Sequence, residues 1–185
     1  METCCVIDYE KLGKHVDDAR EKMTDPKENS VVTLKVDARL IENFLKQATT
    51  GSGFTLTSDE QVYFGGTAKG PTPMETFLAA LGFCQMTIYA TYASTLGVKL
   101  DGLEISLRGD LDLRGLLGLS DARPGFTQIR VETRIVTEEN EEKVKRLVDT
   151  MKLRCPATNN LRQPTPLFST LIVNGKTMEE NKPYA

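Results

Sequence analysis

The 185-residue sequence predicts an α+β fold in which antiparallel strands and helices pack together. Residues 103–113 and 126–136 alternate apolar with polar side chains, which is typical of strands in a sheet that has one solvated face. Between Thr76 and Val98 no residue carries a charge, which indicates a helix that is buried on most of its circumference. The strands come in neighbouring pairs separated by helices, so we expect antiparallel hairpins rather than a parallel sheet.

Composition and charge narrow the class of protein. Hydrophobic residues make up 39% of the chain and charged residues 26%, which is ordinary for a globular protein, and the length fits one domain with an extension. The formal net charge of −3, without a dense basic cluster, argues against a nucleic-acid partner. The N-terminus lacks the basic segment and apolar core of a signal peptide, so we expect a cytoplasmic protein.

The chain divides into two parts. Residues 1–29 are predicted to form an N-terminal amphipathic extension, because apolar residues recur there near helical spacing in a charged segment. Residues 30–185 are predicted to form the main domain. Cys4 and Cys5 are adjacent near the terminus, and we interpret them as bystander thiols rather than as a functional pair.

The first strands follow the extension. Residues 34–40 alternate apolar and charged side chains, and the alternation changes phase at Ile41, which predicts a bulge or bend within one long strand. A glycine-containing turn at 51–53 predicts a hairpin with a return strand after it. Residues 62–64 are expected to add a short strand before the next glycines.

The central helix has well-defined start and stop signals. Thr72 is the predicted N-cap, Pro73 suits the first helical position, and Glu75 completes a capping box. Gly97 is the predicted left-handed C-cap. The uncharged run is long enough to cross a membrane, but polar residues dilute it and no basic clusters flank it, so we expect a buried helix and no membrane partner.

An amphipathic helix is predicted in the second half of the chain. Residues 137–154 have acidic side chains near their beginning and basic side chains near their end, which suits the helix dipole. Cys155-Pro156 follows directly. A polar loop, a strand near 166–173 and a loose tail are expected after it. One small sheet cannot cover a helix that is apolar all round, so we expect an obligate homodimer.

The cysteines do not have metal-binding spacing. Cys4, Cys5, Cys84 and Cys155 form no C-x-x-C pair, and His15 is the only histidine, so neither a zinc site nor any other cofactor is predicted. The same scarcity of histidine argues against Cys-His catalysis. Taken one at a time, each of the two later cysteines is interpreted more readily as an inert core thiol than as a reactive one.

Three motifs together carry a family resemblance. They are the run GGTAKGPTPMETFLAALGFC that leads to Cys84, the run LGVKLDGLEISLRGDLD after the helix, and an Arg-Cys-Pro-Ala segment around Cys155. They resemble the OsmC/Ohr family over roughly residues 31–174, and most closely its general OsmC-like (YhfA-type) branch. The resemblance implies an OsmC-like fold, with an antiparallel sheet wrapped around a long buried central helix in an intertwined homodimer.

The resemblance also implies an activity. The chain is expected to be a thiol-dependent peroxidase of oxidative stress defence that reduces organic hydroperoxides, with an unidentified thiol as reductant. Cys84 would be the peroxidatic thiol and Cys155 the resolving thiol, which form a disulfide through a sulfenic acid. Arg39 would stabilise the thiolate, and Glu75 would orient that arginine.

The residues themselves leave alternatives open for the last two roles. Arg39 alternates with apolar neighbours and fits an outward-facing strand position better than a catalytic one, while Glu75 fits a capping role at least as well. The dedicated hydroperoxide reductases carry an acid where this chain has Met74. Glu75 and Cys84 lie on opposite faces of one helix, roughly 13 Å apart along its axis, so a site that uses both must be shared across a dimer interface.

A second function class is also consistent with the sequence. A non-catalytic dimer of the same fold could bind a small apolar ligand in its interface cleft. The GGTAKG run does not match a phosphate-binding loop, and we interpret it as a tight turn that leads into the helix.

Overall fold

A computed structural model describes residues 7–25 and 30–183. These residues form five α-helices, one of them much longer than the others, and three small antiparallel sheets. The helices are α1 (Tyr9–Thr24), α2 (Pro73–Leu96), α3 (Leu113–Leu116), α4 (Glu141–Arg154) and α5 (Pro156–Arg162). The strands are β1 (Val36–Glu42), β2 (Leu45–Thr50), β3 (Thr55–Ser58), β4 (Gly102–Leu111), β5 (Phe126–Val136), β6 (Phe168–Val173) and β7 (Lys176–Pro183). Cys4 and Cys5 lie outside the described residues.

Helix α2 begins and ends where the sequence predicts. The Thr72 hydroxyl accepts a hydrogen bond from the Glu75 backbone N–H at 3.3 Å, and the Glu75 carboxylate accepts one from the Thr72 backbone N–H at 2.7 Å. This reciprocal capping box satisfies two of the donors that a helix start leaves free. Gly97 closes the helix with a φ of 64°, a left-handed conformation that glycine adopts without strain.

A buried carboxylate organises the loop that leads into α2. Asp59 is fully buried and accepts hydrogen bonds from the backbone N–H groups of Glu60, Thr67 and Lys69 and from the Thr67 hydroxyl, at 2.6–3.2 Å. These bonds outweigh the cost of burial, and the hydroxyl bond contributes most to lowering the pKa of Asp59 from 3.8 to about 2. Gly66 lies so close to the Glu60 carbonyl that a Cβ would meet its oxygen at 1.9 Å.

The first sheet corrects one prediction. Strands β1, β2 and β3 pair antiparallel in that order. Their register shifts between Leu40 and Glu42, which confirms the irregularity predicted from the phase change at Ile41. The strand is shorter than predicted, because a tight turn after Glu42 separates β1 from β2. Asn43 takes the left-handed conformation at this turn, with a φ of 48°. Asparagine tolerates that conformation better than most residues, which explains how the chain reverses there without glycine.

Three further expectations were wrong. Residues 62–64 form a 3₁₀ turn rather than a strand. The segment after Pro156, predicted as a polar loop, is the short helix α5, because proline suits the first turn of a helix. The tail predicted to be loose is strand β7, which pairs antiparallel with β6 across a turn at Asn174 and Gly175.

The core lies between α2, α4 and the β4–β5 hairpin, whose strands are antiparallel as predicted. Its buried apolar residues are Tyr89, Ala93, Val98, Leu100, Leu147, Met151 and Cys155. Helix α1 packs on the C-terminal half of α2, where the Tyr9 hydroxyl accepts a hydrogen bond from the Leu100 backbone N–H at 2.6 Å. In the described part of the chain, no helix is long and apolar enough to cross a membrane.

A single chain leaves much apolar surface uncovered. On α2, the side away from the core exposes Phe83 to 69%. Neither the first sheet nor the β6–β7 hairpin packs broadly on another element of the described chain. Together they expose Val36, Leu40, Ile41, Leu56, Phe168, Leu171, Ile172, Val173 and Met178. Exposed apolar surface on this scale is typical of an interaction site.

Replacing Asp59 with asparagine should destabilise the fold, because an amide has one acceptor where the carboxylate has two. We expect a melting temperature lower by roughly 5 °C at neutral pH. The pKa of Asp59 is lowered on folding, so its contribution is complete above pH 3.8 and disappears as the pH falls towards about 2. Thermal melts between pH 2 and 7 test this, with the exposed Asp121→Asn as control. An unchanged profile in Asp59→Asn would contradict it.

Candidate functional site

Two cysteines that are 71 residues apart in the sequence meet in the fold. Cys84 lies mid-way along α2, half-buried against the core, and Cys155 lies between α4 and α5 with 0% of its surface exposed. Their Sγ atoms are 3.5 Å apart, and both thiols are reduced. A disulfide bond is about 2.05 Å long, so the sulfurs need to approach by only about 1.5 Å to become bonded.

The junction between α4 and α5 holds Cys155 in this position. Proline disfavours the helical conformation in the residue before it, and Cys155 is accordingly extended, with φ −71° and ψ 116°. The Asn159 side chain donates hydrogen bonds to the carbonyls of Leu153 and Cys155, both at 2.9 Å. The chain is thereby bent so that α5 begins beside α2, with Cys155 at the bend.

The surroundings of Cys84 favour the neutral thiol. Burial raises the pKa of Cys84 above its ordinary value of 9.0, and the backbone N–H of Ala157 opposes this by donating a hydrogen bond to its sulfur. Within the described chain, no basic side chain adds to that opposing effect. A nucleophilic thiolate at neutral pH therefore needs a positive charge that the described residues of one chain do not bring to Cys84.

Gln85 ties the two cysteine-bearing segments together. It is only 4% exposed, and its Nε2 donates a hydrogen bond to the Thr158 hydroxyl of α5 at 3.1 Å. Its Oε1 has no partner among the described residues. Sequence reasoning did not select this residue. The available signal was a long polar side chain, directly after Cys84, in a helix that is otherwise nearly apolar.

A cleft opens between α2, β5 and α5, and it is lined by Gln85 and Thr158 but not by either cysteine. We call it the α2–β5–α5 cleft, and its volume is about 480 Å³. This lies within the usual range for sites that bind small molecules. It is lined by Met74, Phe77, Leu81, Gln85, Arg123, Gly125, Phe126, Gln128, Ile129, Val131, Thr158, Leu161 and Arg162.

The other two predicted site residues lie apart from Cys84 in the described chain. The Glu75 carboxylate is engaged by Thr72, whose hydrogen bonds lower the pKa of Glu75. Arg39 lies exposed on β1, and its guanidinium donates a hydrogen bond to the Gln47 side chain at 3.4 Å. Neither bonds to Cys84 within these residues, so the roles assigned to them there remain predictions.

Comparison with known proteins identifies the family. A model of the OsmC-like proteins matches residues 66–169, more than half of the chain. The chain belongs to the OsmC-like family. The matched segment contains α2, the β4–β5 hairpin and both cysteines, so the family match covers the whole region where the two thiols meet.

Two similar proteins are consistent with this assignment. The chain is 29% identical over 94 residues to a hydroperoxide reductase of Mycoplasma genitalium, covering 51% of this chain and 64% of that protein. An OsmC-like protein from Mycoplasma pneumoniae has a similar structure, with a TM-score of 0.63 and 22% identity over 72% of this chain and 89% of that one.

A further structure extends the comparison of folds. It is an organic hydroperoxide resistance protein OsmC from Legionella pneumophila, with a TM-score of 0.56 and 18% identity over 72% of this chain and 92% of that one. At these identities the solved structures establish the OsmC-like α+β fold, which confirms the predicted fold class.

The 3.5 Å separation of the two sulfurs predicts a specific oxidation product. Treatment of the folded protein with diamide should link Cys84 to Cys155, because no large movement is needed to bond them. Peptide mass spectrometry should find the linked pair with the loss of two hydrogen atoms. Cys84→Ser and Cys155→Ser are the controls and should not give this product. Exclusive pairing of either thiol with Cys4 or Cys5 would contradict the prediction.

Proposed function

We propose that this OsmC-like protein is a thiol-dependent peroxidase that reduces organic hydroperoxides through Cys84 and Cys155. The observation that carries the proposal is the contact between the two free sulfurs at 3.5 Å. The similarity to a protein named hydroperoxide reductase supports the same activity. The physiological reductant is taken to be a thiol.

The reaction balances with two thiols and one peroxide. The Cys84 thiolate attacks the terminal oxygen of the hydroperoxide, the O–O bond breaks, and the alcohol leaves after taking up a proton. Cys84 is then a sulfenic acid. The Cys155 sulfur attacks the Cys84 sulfur, water leaves, and a disulfide forms. Two external thiol groups supply two electrons and two protons to restore both cysteines, and are themselves joined in a disulfide.

The burial of the two cysteines supports the proposed division of roles. Cys155 has no exposed surface, whereas Cys84 is only half-buried on the helix that also lines the cleft. A peroxide can therefore reach Cys84 before Cys155. Because Cys155 is already in contact with Cys84, it can react with the sulfenic acid as soon as that forms. Close contact also limits the time in which a second peroxide could overoxidise Cys84.

We infer that the active protein is a homodimer, and that Arg39 acts on Cys84 of the second chain. The apolar surface on α2 around Phe83 and on the first and last sheets needs a partner, and a second copy offers matching surface. The raised pKa of Cys84 leaves the thiolate in need of a cation. Pairing across the interface would supply it, with Glu75 orienting the guanidinium.

A second candidate function is favoured by the same raised pKa. A non-catalytic dimer that binds a small apolar ligand needs the cleft but no thiolate. The two functions differ in one observable, which is the stoichiometric loss of peroxide when the reduced protein is added.

Cys84→Ser should abolish the reduction of cumene hydroperoxide in the presence of dithiothreitol, because no nucleophile remains. Cys155→Ser should still consume one equivalent of peroxide and accumulate a sulfenic acid that dimedone traps. Peroxide is followed by a ferrous–xylenol orange assay, and dimedone adducts by intact mass. If the unmodified protein leaves the peroxide intact and both thiols reduced, the peroxidase is disproved and the ligand-binding function becomes the better one.

The role of Arg39 across the interface is tested with mixed dimers. Arg39→Gln should slow the reaction at pH 7 and recover as the pH is raised, because base then forms the thiolate without the cation. When Arg39→Gln and Cys84→Ser chains are refolded together, each hybrid has one complete site, and about a quarter of the full activity should return.

The control for the mixed dimers is the double variant Arg39→Gln/Cys84→Ser refolded alone, which should stay inactive. If the mixture is also inactive although native mass spectrometry shows that hybrids have formed, Arg39 does not serve the Cys84 of the second chain.

A further inference from the structure

We propose that Gln85 is a positioning residue for the step in which the two cysteines form a disulfide. Its hydrogen bond to Thr158 holds the start of α5, and with it Cys155, against α2. The place of this role in the reaction rests on the proposed peroxidase function. The same positioning also governs how readily the two thiols are oxidised at equilibrium, so it can be measured without peroxide.

The assisted step is the attack of one sulfur on the other. The Cys155 sulfur bonds to the sulfur of the Cys84 sulfenic acid, the S–O bond breaks, and the oxygen leaves as water with the thiol proton of Cys155. Reacting atoms in well-oriented sites lie about 3–3.5 Å apart, and the two sulfurs are 3.5 Å apart. A misplacement of about 1 Å can slow a reaction about a hundredfold, so the rate depends on what fixes Cys155 in place.

Few contacts fix the position of helix α5. It has seven residues, and none of them is buried. A helix of that length is not stable by itself, so its position depends on its bonds to neighbouring elements. Among the described residues, the hydrogen bonds that join it to α2 are the one from the Ala157 backbone N–H to the Cys84 sulfur and the one from the Gln85 side chain to the Thr158 hydroxyl.

The bond made by Gln85 lies where it can control the distance between the sulfurs. On α2, Gln85 directly follows Cys84. On α5, Thr158 follows Cys155 by three residues, about 4.5 Å along the helix axis. The Asn159 side chain braces this turn by donating a hydrogen bond to the Cys155 carbonyl at 2.9 Å. A restraint on Thr158 is therefore passed to Cys155 through one braced turn.

Stability alone does not explain a glutamine at this position. Gln85 is only 4% exposed, and its Oε1 has no partner among the described residues. A buried acceptor without a partner is costly, whereas an unbranched apolar side chain of similar size, such as methionine, would avoid that cost. The amide is instead accounted for by the bond that its Nε2 donates to Thr158.

The test follows the two chemical steps separately after one equivalent of cumene hydroperoxide. Loss of peroxide reports the first step, and rapid acid quenching with peptide mass spectrometry reports the Cys84–Cys155 disulfide. In Gln85→Met the ratio of the second rate to the first should fall about tenfold, because Cys155 is no longer held in line. More Cys84 should also be overoxidised to the sulfinic acid, because the sulfenic acid persists.

The partner residue supplies the matched variants. Thr158→Val should give the same loss as Gln85→Met, and the double variant should show no further loss, because all three lack the same bond. Thr158→Ser keeps the hydroxyl and should restore the ratio. The control Thr150→Val removes a half-buried hydroxyl whose bond lies within α4, and it should keep the unmodified ratio. Thr158 is only half-buried, so Thr158→Val decides the matter if Gln85→Met is unstable.

A test without peroxide uses the equilibrium of the two thiols with dithiothreitol buffers. Without the bond the thiols spend less time in contact, so the disulfide should become about tenfold less favourable in Gln85→Met and Thr158→Val. That change corresponds to a reduction potential about 30 mV more positive.

An unmodified ratio or an unmodified potential in Gln85→Met and Thr158→Val overturns the proposal. So does an equal slowing of both chemical steps, or a loss in one of these variants that the other does not share. If the unmodified protein fails to reduce peroxide while the potentials shift as expected, the positioning role holds and only the peroxidase function falls.

Discussion

Burial of helix α2 is the constraint on which the rest of the structure depends. The helix carries no charge from Thr76 to its C-terminal end, so water cannot solvate any of its faces well. Helices α1 and α4 and strand β4 cover one side of it and create the only large core of the described chain. The opposite side stays open, as do two small sheets with apolar faces, and this imbalance is the physical basis for inferring a second copy.

The same packing brings the thiols of Cys84 and Cys155 together. Helix α4 packs on α2. The proline after Cys155 causes a bend at Cys155, one residue beyond the end of α4, and α5 therefore also contacts α2. The bend leaves the Cys155 sulfur 3.5 Å from that of Cys84, and it presents the Ala157 backbone N–H to the Cys84 sulfur. The packing of two helices on a third, which the core requires, thus also gives the contact that the proposed two-thiol reaction requires.

The described residues of one chain do not supply the positive charge that the proposed reaction needs at Cys84. Burial in the core protects Cys84 from unwanted reactions, but it also raises the pKa of the thiol and disfavours the nucleophile. The proposed reaction therefore needs a positive charge at the Cys84 sulfur that comes from outside the described residues of one chain.

Sequence alone determined the elements whose signals are local. The capping box at Thr72, the glycine at the end of α2, the β4–β5 alternation and the charged ends of α4 each depend on residues a few positions apart. It also identified both cysteines, through a family motif. It did not reveal the turn at Asn43, helix α5 or strand β7. A short polar segment is compatible with several conformations, and its contacts with other parts of the chain determine which one it adopts. The contact between the sulfurs, the role of Gln85 and the cleft depended on tertiary structure, because each joins residues that are far apart in the chain and only the packing of α2, α4 and α5 sets their distance.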